Sequence, residues 1–205
     1  MAVHQKIVNT EAKIKSAFIF LVNQNGLEKL NVKNITTYAR INRSTFYAHY
    51  VDKFELIERY ESQILTDIQA ILRNNLTNTM RYQDPKTNNL QIYPIFNLVL
   101  NYIYDQFDLI KALLGPKGDP QLEVQIKQML LEVINADLYH VKGTTKMTPL
   151  IPNSYAHEIV LAGLFDIVKF WLSQSEPDTP QQVADIIART RFMSPYDLLG
   201  IESKR

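Results

Sequence analysis

The sequence predicts an all-α protein, with an N-terminal three-helix head over residues 1–51 and a C-terminal antiparallel helical bundle over residues 52–205, about nine helices in all. Apolar residues recur at helical period through nearly all of the 205 residues. Residue types that cap helices precede these segments, and glycine or proline follows several of them. No segment alternates apolar and polar side chains as a half-buried strand does.

The head is predicted to begin with a helix over residues 10–25, where Thr10 can cap its start. Gly26 lies just past its end, the position at which a left-handed residue closes a helix at little cost. Asn31 and Asn42 can cap the two short helices that follow. The apolar stripe of the first helix consists of Ile14, Ala17, Phe18, Leu21 and Val22.

A long helix is predicted to begin at Asp52, because Asp52 with Glu55 three residues later resembles a capping box. Its apolar stripe continues to Ile71 at helical spacing. Residues 74–91 are rich in Asn, Thr, Gln and Pro, so a loop or a weak helix end is expected there.

The second half of the chain repeats the helical pattern. Gly115-Pro116 closes one helix, while Asp119-Pro120 and Thr179-Pro180 each place a capping side chain before a proline at the first helical position. The helices predicted here cover residues 93–106, 107–114, 120–141, 154–173 and 180–192.

The formal net charge of +1 hides an uneven distribution of charged residues. Residues 1–50 hold seven bases and two acids, a net charge of +5, whereas residues 51–205 hold fifteen bases and nineteen acids, a net charge of −4. A basic end on an acidic body is suited to meeting a polyanion with that end only. Alone, this asymmetry favours nucleic acid only weakly, because charges also solvate ordinary surfaces.

The short helices at the basic end predict a helix-turn-helix. One small core can form from Val32, Ile35, Ala39, Ile41, Phe46 and Tyr50. The polar face of the second helix consists of Arg43, Ser44, Thr45, Tyr47, Ala48 and His49. Small residues allow close approach to a major groove, and hydroxyls and a guanidinium can bond base edges.

These residues resemble the DNA-binding head of the TetR family of bacterial transcriptional regulators. The match is carried by Thr45-Phe46-Tyr47-x-His49-Tyr50-x-x-Lys53. The family typically shows Thr, Leu or Phe, Tyr, one variable residue, His or Tyr, Phe and then Lys. The resemblance covers about residues 10–58, and Gly163–Leu172 is also similar to the penultimate helix of a subgroup common in Gram-positive bacteria.

The resemblance implies contacts with phosphates and with bases. Tyr47 and Lys53 correspond to phosphate anchors, His49 to a phosphate donor, and Lys33 to a side chain that grips the backbone from the preceding helix. The positions that would meet bases are Arg43, Ser44 and Thr45 at base edges and Ala48 at a thymine methyl.

One residue departs from the family pattern. The family usually has glycine in the turn, and this chain has Arg40. If Arg40 is left-handed, its side chain costs on the order of 1 kcal/mol, which a folded domain tolerates.

Several other classes are excluded or not favoured. The absence of cysteine excludes disulfide scaffolds, thiolate nucleophiles and sulfur-ligated zinc. No histidine pair has metal-ligand spacing, so neither a metal nor a cofactor is predicted. The glycine patterns of P-loops, Rossmann folds and nucleophile elbows are missing, so an enzyme is not favoured. Short apolar runs and a polar N-terminus predict no membrane span, no secretory signal and a cytoplasmic location.

The last two predicted helices suggest an interface. Segment 154–173 is apolar on nearly all sides, so it must be buried within one chain or between chains. Segment 180–192 offers a neighbouring apolar face. The resemblance implies that these two helices form a two-fold homodimer, and that the bundle holds a site, of unknown lining, for a small-molecule effector.

The sequence therefore predicts a ligand-responsive regulator, most simply a repressor, that binds a palindromic operator in double-stranded DNA as a homodimer. One alternative is a TetR-like co-regulator that acts through a protein partner without operator binding of its own. Another is a helical small-molecule-binding protein or enzyme that shares only the architecture.

Overall fold

The computed structural model describes residues 2–75, 94–190 and 193–201. Those residues form helices and no strand, which confirms the predicted all-α class. None of the helices in this part of the chain combines the length and the apolar character needed to cross a bilayer. The predicted loop or weak helix end over 74–91 lies, from residue 76 on, outside the described residues. Ten helices occur within the described ranges: α1 (Ala2–Asn25), α2 (Val32–Ala39), α3 (Arg43–Tyr47), α4 (Lys53–Asn74), α5 (Pro94–Asp105), α6 (Phe107–Leu114), α7 (Pro120–Lys142), α8 (Asn153–Ser173), α9 (Pro180–Thr190) and α10 (Pro195–Leu198).

The start of α1 and the presence of α10 differ from the sequence prediction. Helix α1 begins at Ala2, so the predicted cap at Thr10 is wrong. Residues 2–9 contain neither glycine nor proline, and each residue added to an existing helix gains a hydrogen bond. Helix α10 was not predicted because one turn is too short to show a period, although Ser194 and Asp197 cap it reciprocally.

The predicted starts of α7 and α9 are confirmed. The carboxylate of Asp119 accepts the N–H of Gln121 at 2.8 Å. The side-chain oxygen of Gln182 accepts the N–H of Thr179 at 2.8 Å, while the Thr179 hydroxyl accepts the Gln182 N–H at 3.4 Å. Proline at the first helical position costs nothing in either helix, because that N–H has no intrahelical partner.

The described residues divide into two compact units. The first extends to Asp67 and also includes Gln106–Ile126, so it holds α1 to α3, most of α4, α6 and the start of α7. Within it α1 packs against α2 and α6, and α2 against α3. This unit extends beyond residues 1–51, whose role as a DNA-binding domain stays a prediction. Its fully buried side chains include Ile14, Phe18, Val22, Ile35, Phe46, Leu56, Ile110, Leu113 and Leu122.

The second unit comprises the described part of 68–105 and of the chain from Lys127 on. Within it α5 and α8 pack against α9. Trp171 of α8 is almost fully buried, and its Nε1 donates to the carbonyl of Asp178 at 2.8 Å. Its ring stacks on Tyr104 of α5 with centroids 6.3 Å apart. The indole thereby joins α5, α8 and the loop that leads into α9.

Candidate nucleic-acid interface

Helix α2 presents one face to the core and the other to solvent. The side-chain oxygen of Asn31 accepts the N–H of Asn34 at 2.9 Å, which caps the helix as predicted. Ile35, Thr36 and Ala39 are buried, and Lys33 on the opposite face is exposed. The structure therefore leaves the Lys33 ammonium accessible to a phosphate.

The turn between α2 and α3 is left-handed at Arg40, with φ 53° and ψ 49°. Arg40 is the one non-glycine residue with positive φ among those described. Its N–H points to the carbonyls of Thr36 and Thr37, and Ile41 N–H donates to Thr36 at 3.1 Å. The turn thus keeps the geometry that a glycine would adopt, with an arginine at the left-handed position.

Helix α3 is held by aromatic side chains on its inner face. Phe46 is completely buried, and its ring lies 5.6 Å from that of the buried Tyr50. Asn42 occupies the N-cap position, but its side chain makes no cap bond, so the predicted cap at Asn42 is wrong. The anchored helix turns its other residues outward, and Tyr47 is 54% exposed. The residues exposed or half-exposed on that side are Arg43, Ser44, Thr45, Tyr47 and Ala48.

His49 is positioned differently from these residues. Its side chain is only 14% exposed, and Nδ1 lies 3.7 Å from the Oε1 of Glu11 in α1. The imidazole therefore faces α1 more than solvent. Sequence inspection missed this neighbour because Glu11 lies far from His49 along the chain.

Lys53 is also engaged within the protein. Its Nζ donates to the carbonyl of Leu30 at 2.8 Å and to that of Glu28 at 3.3 Å. The ammonium lies 5.1 Å from the centroid of the Phe54 ring. Two of its three protons thus bond the loop between α1 and α2.

The start of α4 is ordered by charged side chains beside α3. The carboxylate of Asp52 accepts the N–H groups of Phe54 and Glu55, at 2.8 and 2.9 Å. Glu55 in turn accepts the N–H of Val51 at 2.5 Å and a guanidinium proton of Arg59 at 2.6 Å. These bonds hold the pKa of Glu55 below its usual value. The predicted capping box is therefore only half formed: Asp52 accepts the N–H of Glu55, but the Glu55 side chain accepts the N–H of Val51 instead of that of Asp52.

The second unit contains a cavity of about 380 Å³ where α7, the following loop and α8 meet. Seven of its lining residues carry no charge, and the eighth is Lys142, whose Nζ lies 3.4 Å from the carbonyl of Met147. Sequence inspection could not find this cavity, because its walls join segments that are apart in the chain. Its lining is Leu138, Lys142, Met147, Thr148, Ile151, Ala156, Ile159 and Val160.

Helix α8 also exposes large apolar side chains. Tyr155, Ile159 and Phe170 are each about two-thirds exposed, and Ile186 of α9 is 43% exposed. Elsewhere the same helix buries Phe165, Trp171 and other apolar side chains. One chain therefore covers only part of the surface that the sequence predicts to be buried.

No cluster of three or more histidine, aspartate or glutamate side chains that could hold a metal ion occurs among the described residues.

Residues 91–191 match a TetR-type family model described as "Transcriptional regulator C-terminal region". A helix-turn-helix-type transcriptional regulator of Bacillus subtilis, YxbF, is 21% identical over 196 residues, which cover 94% of this chain and 47% of that protein. This chain thus spans about half the length of the curated relative that it matches.

Solved structures resemble this chain over most of its length. A TetR transcriptional regulator from Streptococcus agalactiae 2603V aligns with a TM-score of 0.58 at 20% identity, covering 93% of this chain and 97% of that one. The regulator FadR from Bacillus subtilis, in complex with stearoyl-CoA, aligns with a TM-score of 0.56 at 14% identity, covering 87% and 95%. At such identities the likeness shows a common fold.

Proposed function

Because this chain belongs to the TetR family of transcriptional regulators, we propose that it is a ligand-responsive repressor that binds a palindromic operator as a homodimer. Membership of this family makes it a regulator and not an enzyme. The DNA-binding proposal rests on one observation about α3. Its buried Phe46 anchors the helix so that a polar face points toward solvent, at the basic end of the chain.

The exposed face of α3 has the chemistry of a major-groove surface. Arg43 can donate two hydrogen bonds to one guanine, and Ser44 and Thr45 carry hydroxyls for neighbouring base edges. Ala48 leaves room for a thymine methyl. Tyr47 and Lys33 are both exposed and would contact the phosphate backbone.

The test is selection of the purified protein against randomised duplex DNA at low and at physiological salt. We expect an enriched palindrome that persists at physiological salt, with half-sites about 34 Å apart or a multiple of that distance. Binding without enrichment that disappears with added salt would refute the proposal, because a basic surface alone behaves in this way.

Variants separate phosphate contacts from base contacts. Lys33→Ala should reduce the steepness of the plot of log K for DNA binding against log salt concentration by about 0.9. This is the change in slope expected for one lost phosphate contact on duplex DNA. Arg43→Ala should instead relax preference at one base position. Lys146→Ala is the matched control, because it removes the same charge from an exposed loop of the second unit. An equal loss of slope in Lys33→Ala and Lys146→Ala would argue against a phosphate contact at Lys33.

We propose that the homodimer forms through α8 and α9. Its apolar surface would comprise Tyr155, Ile159 and Phe170 with Ile186, which are exposed in the single chain. Phe170→Glu should convert the dimer to monomer in sedimentation velocity, since a desolvated charge would lie in the interface. Val124→Glu places the same charge at an exposed apolar residue of α7 and should leave the dimer intact.

The effector is proposed to be an amphipathic anion that binds the cavity beside α7 and α8. Its walls are almost entirely apolar, and Lys142 supplies one positive charge. Because the similar FadR structure contains stearoyl-CoA, acyl-CoA is the first probe. A ligand that weakens operator binding must itself be bound more weakly in the presence of operator.

The experiment compares operator affinity with stearoyl-CoA, decanoate and free CoA. The first two should weaken binding, and free CoA should not, because it lacks the apolar chain. Ala156→Leu narrows the cavity and should diminish the response. If operator binding by this variant responds to the probes as strongly as the wild type does, the effector site is not this cavity. If neither stearoyl-CoA nor decanoate changes operator affinity in the wild type, the proposed ligand class is wrong.

A co-regulator without its own operator is the second candidate. It is favoured because two residues that resemble phosphate contacts face the protein itself: His49 lies beside Glu11, and Lys53 donates to the carbonyl of Leu30. Selection on randomised DNA separates the two candidates, because a co-regulator would enrich no sequence.

A further inference from the structure

The end of α1 and the loop that leads into α2, residues 23–31, form a junction held by side chains from other parts of the fold. Lys117, in the loop between α6 and α7, donates to the carbonyl of Asn23 at 3.1 Å and to that of Gln24 at 2.9 Å. Its own carbonyl accepts the N–H of Leu27 at 2.9 Å. One residue thus makes three hydrogen bonds to the junction.

The chemistry of a helix end explains why a lysine suits this position. The last carbonyls of a helix have no intrahelical donor, and the helix dipole places partial negative charge on them. An ammonium group with several protons can satisfy two such carbonyls together. Gly26, at φ 84°, ends α1 and packs on the same lysine, since a Cβ there would lie 3.6 Å from the Lys117 Cβ.

The loop that carries Lys117 has a defined shape. A Cβ at Gly118 would lie 1.9 Å from the carbonyl oxygen of Leu113, so this path is open only to glycine. The N–H of Asp119 donates to that same carbonyl at 2.8 Å. The loop can therefore present Lys117 to the junction in a fixed position.

Lys53 reaches the same junction from the start of α4, through its bonds to the carbonyls of Glu28 and Leu30. Leu30 is buried, and Asn31 next to it caps α2. The two lysines thus bond the segment that sets where α2 begins, and α3 packs directly on α2.

We propose that Lys117 and Lys53 are positioning residues for DNA binding: they hold the 23–31 junction so that α2 and α3 meet DNA in one orientation. This inference rests on the proposed DNA binding. It assigns Lys117, far outside the helix-turn-helix in sequence, a part in operator affinity. It also gives Lys53 a role through protein carbonyls in place of a phosphate contact.

The test uses Lys117→Met and Lys53→Met in the full chain, with Lys111→Met as control. Lys111 lies in α6, outside residues 23–31, and its Nζ is 5.7 Å from the centroid of the Phe107 ring, so its replacement removes the same charge from another element of the same unit. Operator affinity is measured over a range of salt concentrations, and amide hydrogen exchange is followed at Leu27 and Leu30. Far-UV circular dichroism checks that each variant is folded.

In both test variants the junction amides should exchange about tenfold faster, because bonds to a charged donor are lost. Operator affinity should fall about threefold to tenfold with the salt slope unchanged, because no phosphate contact is removed. The Lys111→Met control should match the wild type in every measurement. Lys117→Arg, which keeps the charge and the donors, should recover most of the affinity.

Three results would overturn the proposal. Unchanged exchange in Lys117→Met would mean that the lysine does not hold the junction. Wild-type affinity in that variant would separate the junction from DNA binding. A salt slope lowered by about 0.9 in either variant would identify a phosphate anchor. A wild-type protein that binds no duplex would refute the proposed function, whereas faster exchange would still support the lysine contacts.

Discussion

At the scale of single residues, Arg40 shows that a turn can keep its geometry when its usual residue is replaced. Its backbone is left-handed, and its side chain is exposed. An L-residue in this conformation costs about 1–2 kcal/mol, because its Cβ crowds the following carbonyl. The turn therefore stores a small strain that the packing of α2 and α3 outweighs.

Arg40→Gly should raise the free energy of unfolding by about 0.5–1 kcal/mol. Glycine removes the crowding at the Cβ, and the greater entropy of the unfolded chain with glycine offsets only part of this gain. Urea unfolding measures the change. Arg40→Ala is the control, since it removes the charge but keeps the Cβ, and it should resemble the wild type. Equal stabilisation in both variants would locate the cost in the charge and not in the backbone.

Glu61 of α4 is a second residue in an unfavourable environment, because its carboxyl group is buried. It is 9% exposed, and its Oε1 has no hydrogen-bond partner among the described residues. Burial and, to a smaller extent, the nearby Asp119 raise the pKa of Glu61 to about 7. The folded protein therefore holds a proton at pH values where the unfolded chain has released it. The free energy of unfolding therefore falls as the pH rises from the ordinary pKa of a glutamate carboxyl through 7.

Glu61→Gln mimics the protonated carboxyl. The free energy of unfolding of this variant, relative to that of the wild type, should therefore increase by about 1–2 kcal/mol between pH 5 and pH 8. Urea unfolding at both pH values gives the difference. Glu158→Gln alters an exposed carboxylate of α8 and should show little pH dependence. A constant difference between Glu61→Gln and wild type across this range would disprove the raised pKa.

At the scale of helices, capping residues determine where the elements of the head begin. Asn31 and Asp52 both accept N–H groups of the helix that follows them. These signals act within one turn, so they are visible in the sequence. The start of α1 was not predicted, because Thr10 has the character of a cap but lies inside a longer helix.

Asn31→Ala should lower the free energy of unfolding by about 1 kcal/mol, because it removes the cap of α2. It should also weaken operator binding, since α2 carries Lys33 and supports α3. Asn31→Asp should preserve stability, as aspartate caps equally well. Asn34→Ala is the matched control, because only the backbone of that residue takes part in the cap. A stability loss as large in Asn34→Ala as in Asn31→Ala would remove capping as the cause.

At the scale of the whole molecule, the exposed apolar side chains of α8 are the basis of the proposed dimer. A surface with Tyr155, Ile159 and Phe170 in water is unfavourable, and covering it by a second copy would stabilise the fold. Stability would then depend on protein concentration.

The apparent melting temperature of the wild type should rise with protein concentration, because association binds the folded chain and not the unfolded one. Differential scanning calorimetry over a hundredfold concentration range is the measurement. Phe170→Glu should melt lower and at a temperature that no longer depends on concentration. A concentration-independent wild type would contradict the proposed dimer.

The sequence by itself determined the all-α class, the start of most helices and the placement of Phe46 inside α3, since these depend on neighbours within a few residues. The exposure of Arg43 and Tyr47 also follows from that local period. Only the tertiary structure decided that Lys53 bonds Leu30, that His49 faces Glu11 and that Lys117 reaches the end of α1. These contacts join residues that are far apart in the chain. Packing brings a distant carbonyl or carboxylate close to each of these side chains, and no local sequence pattern encodes which one.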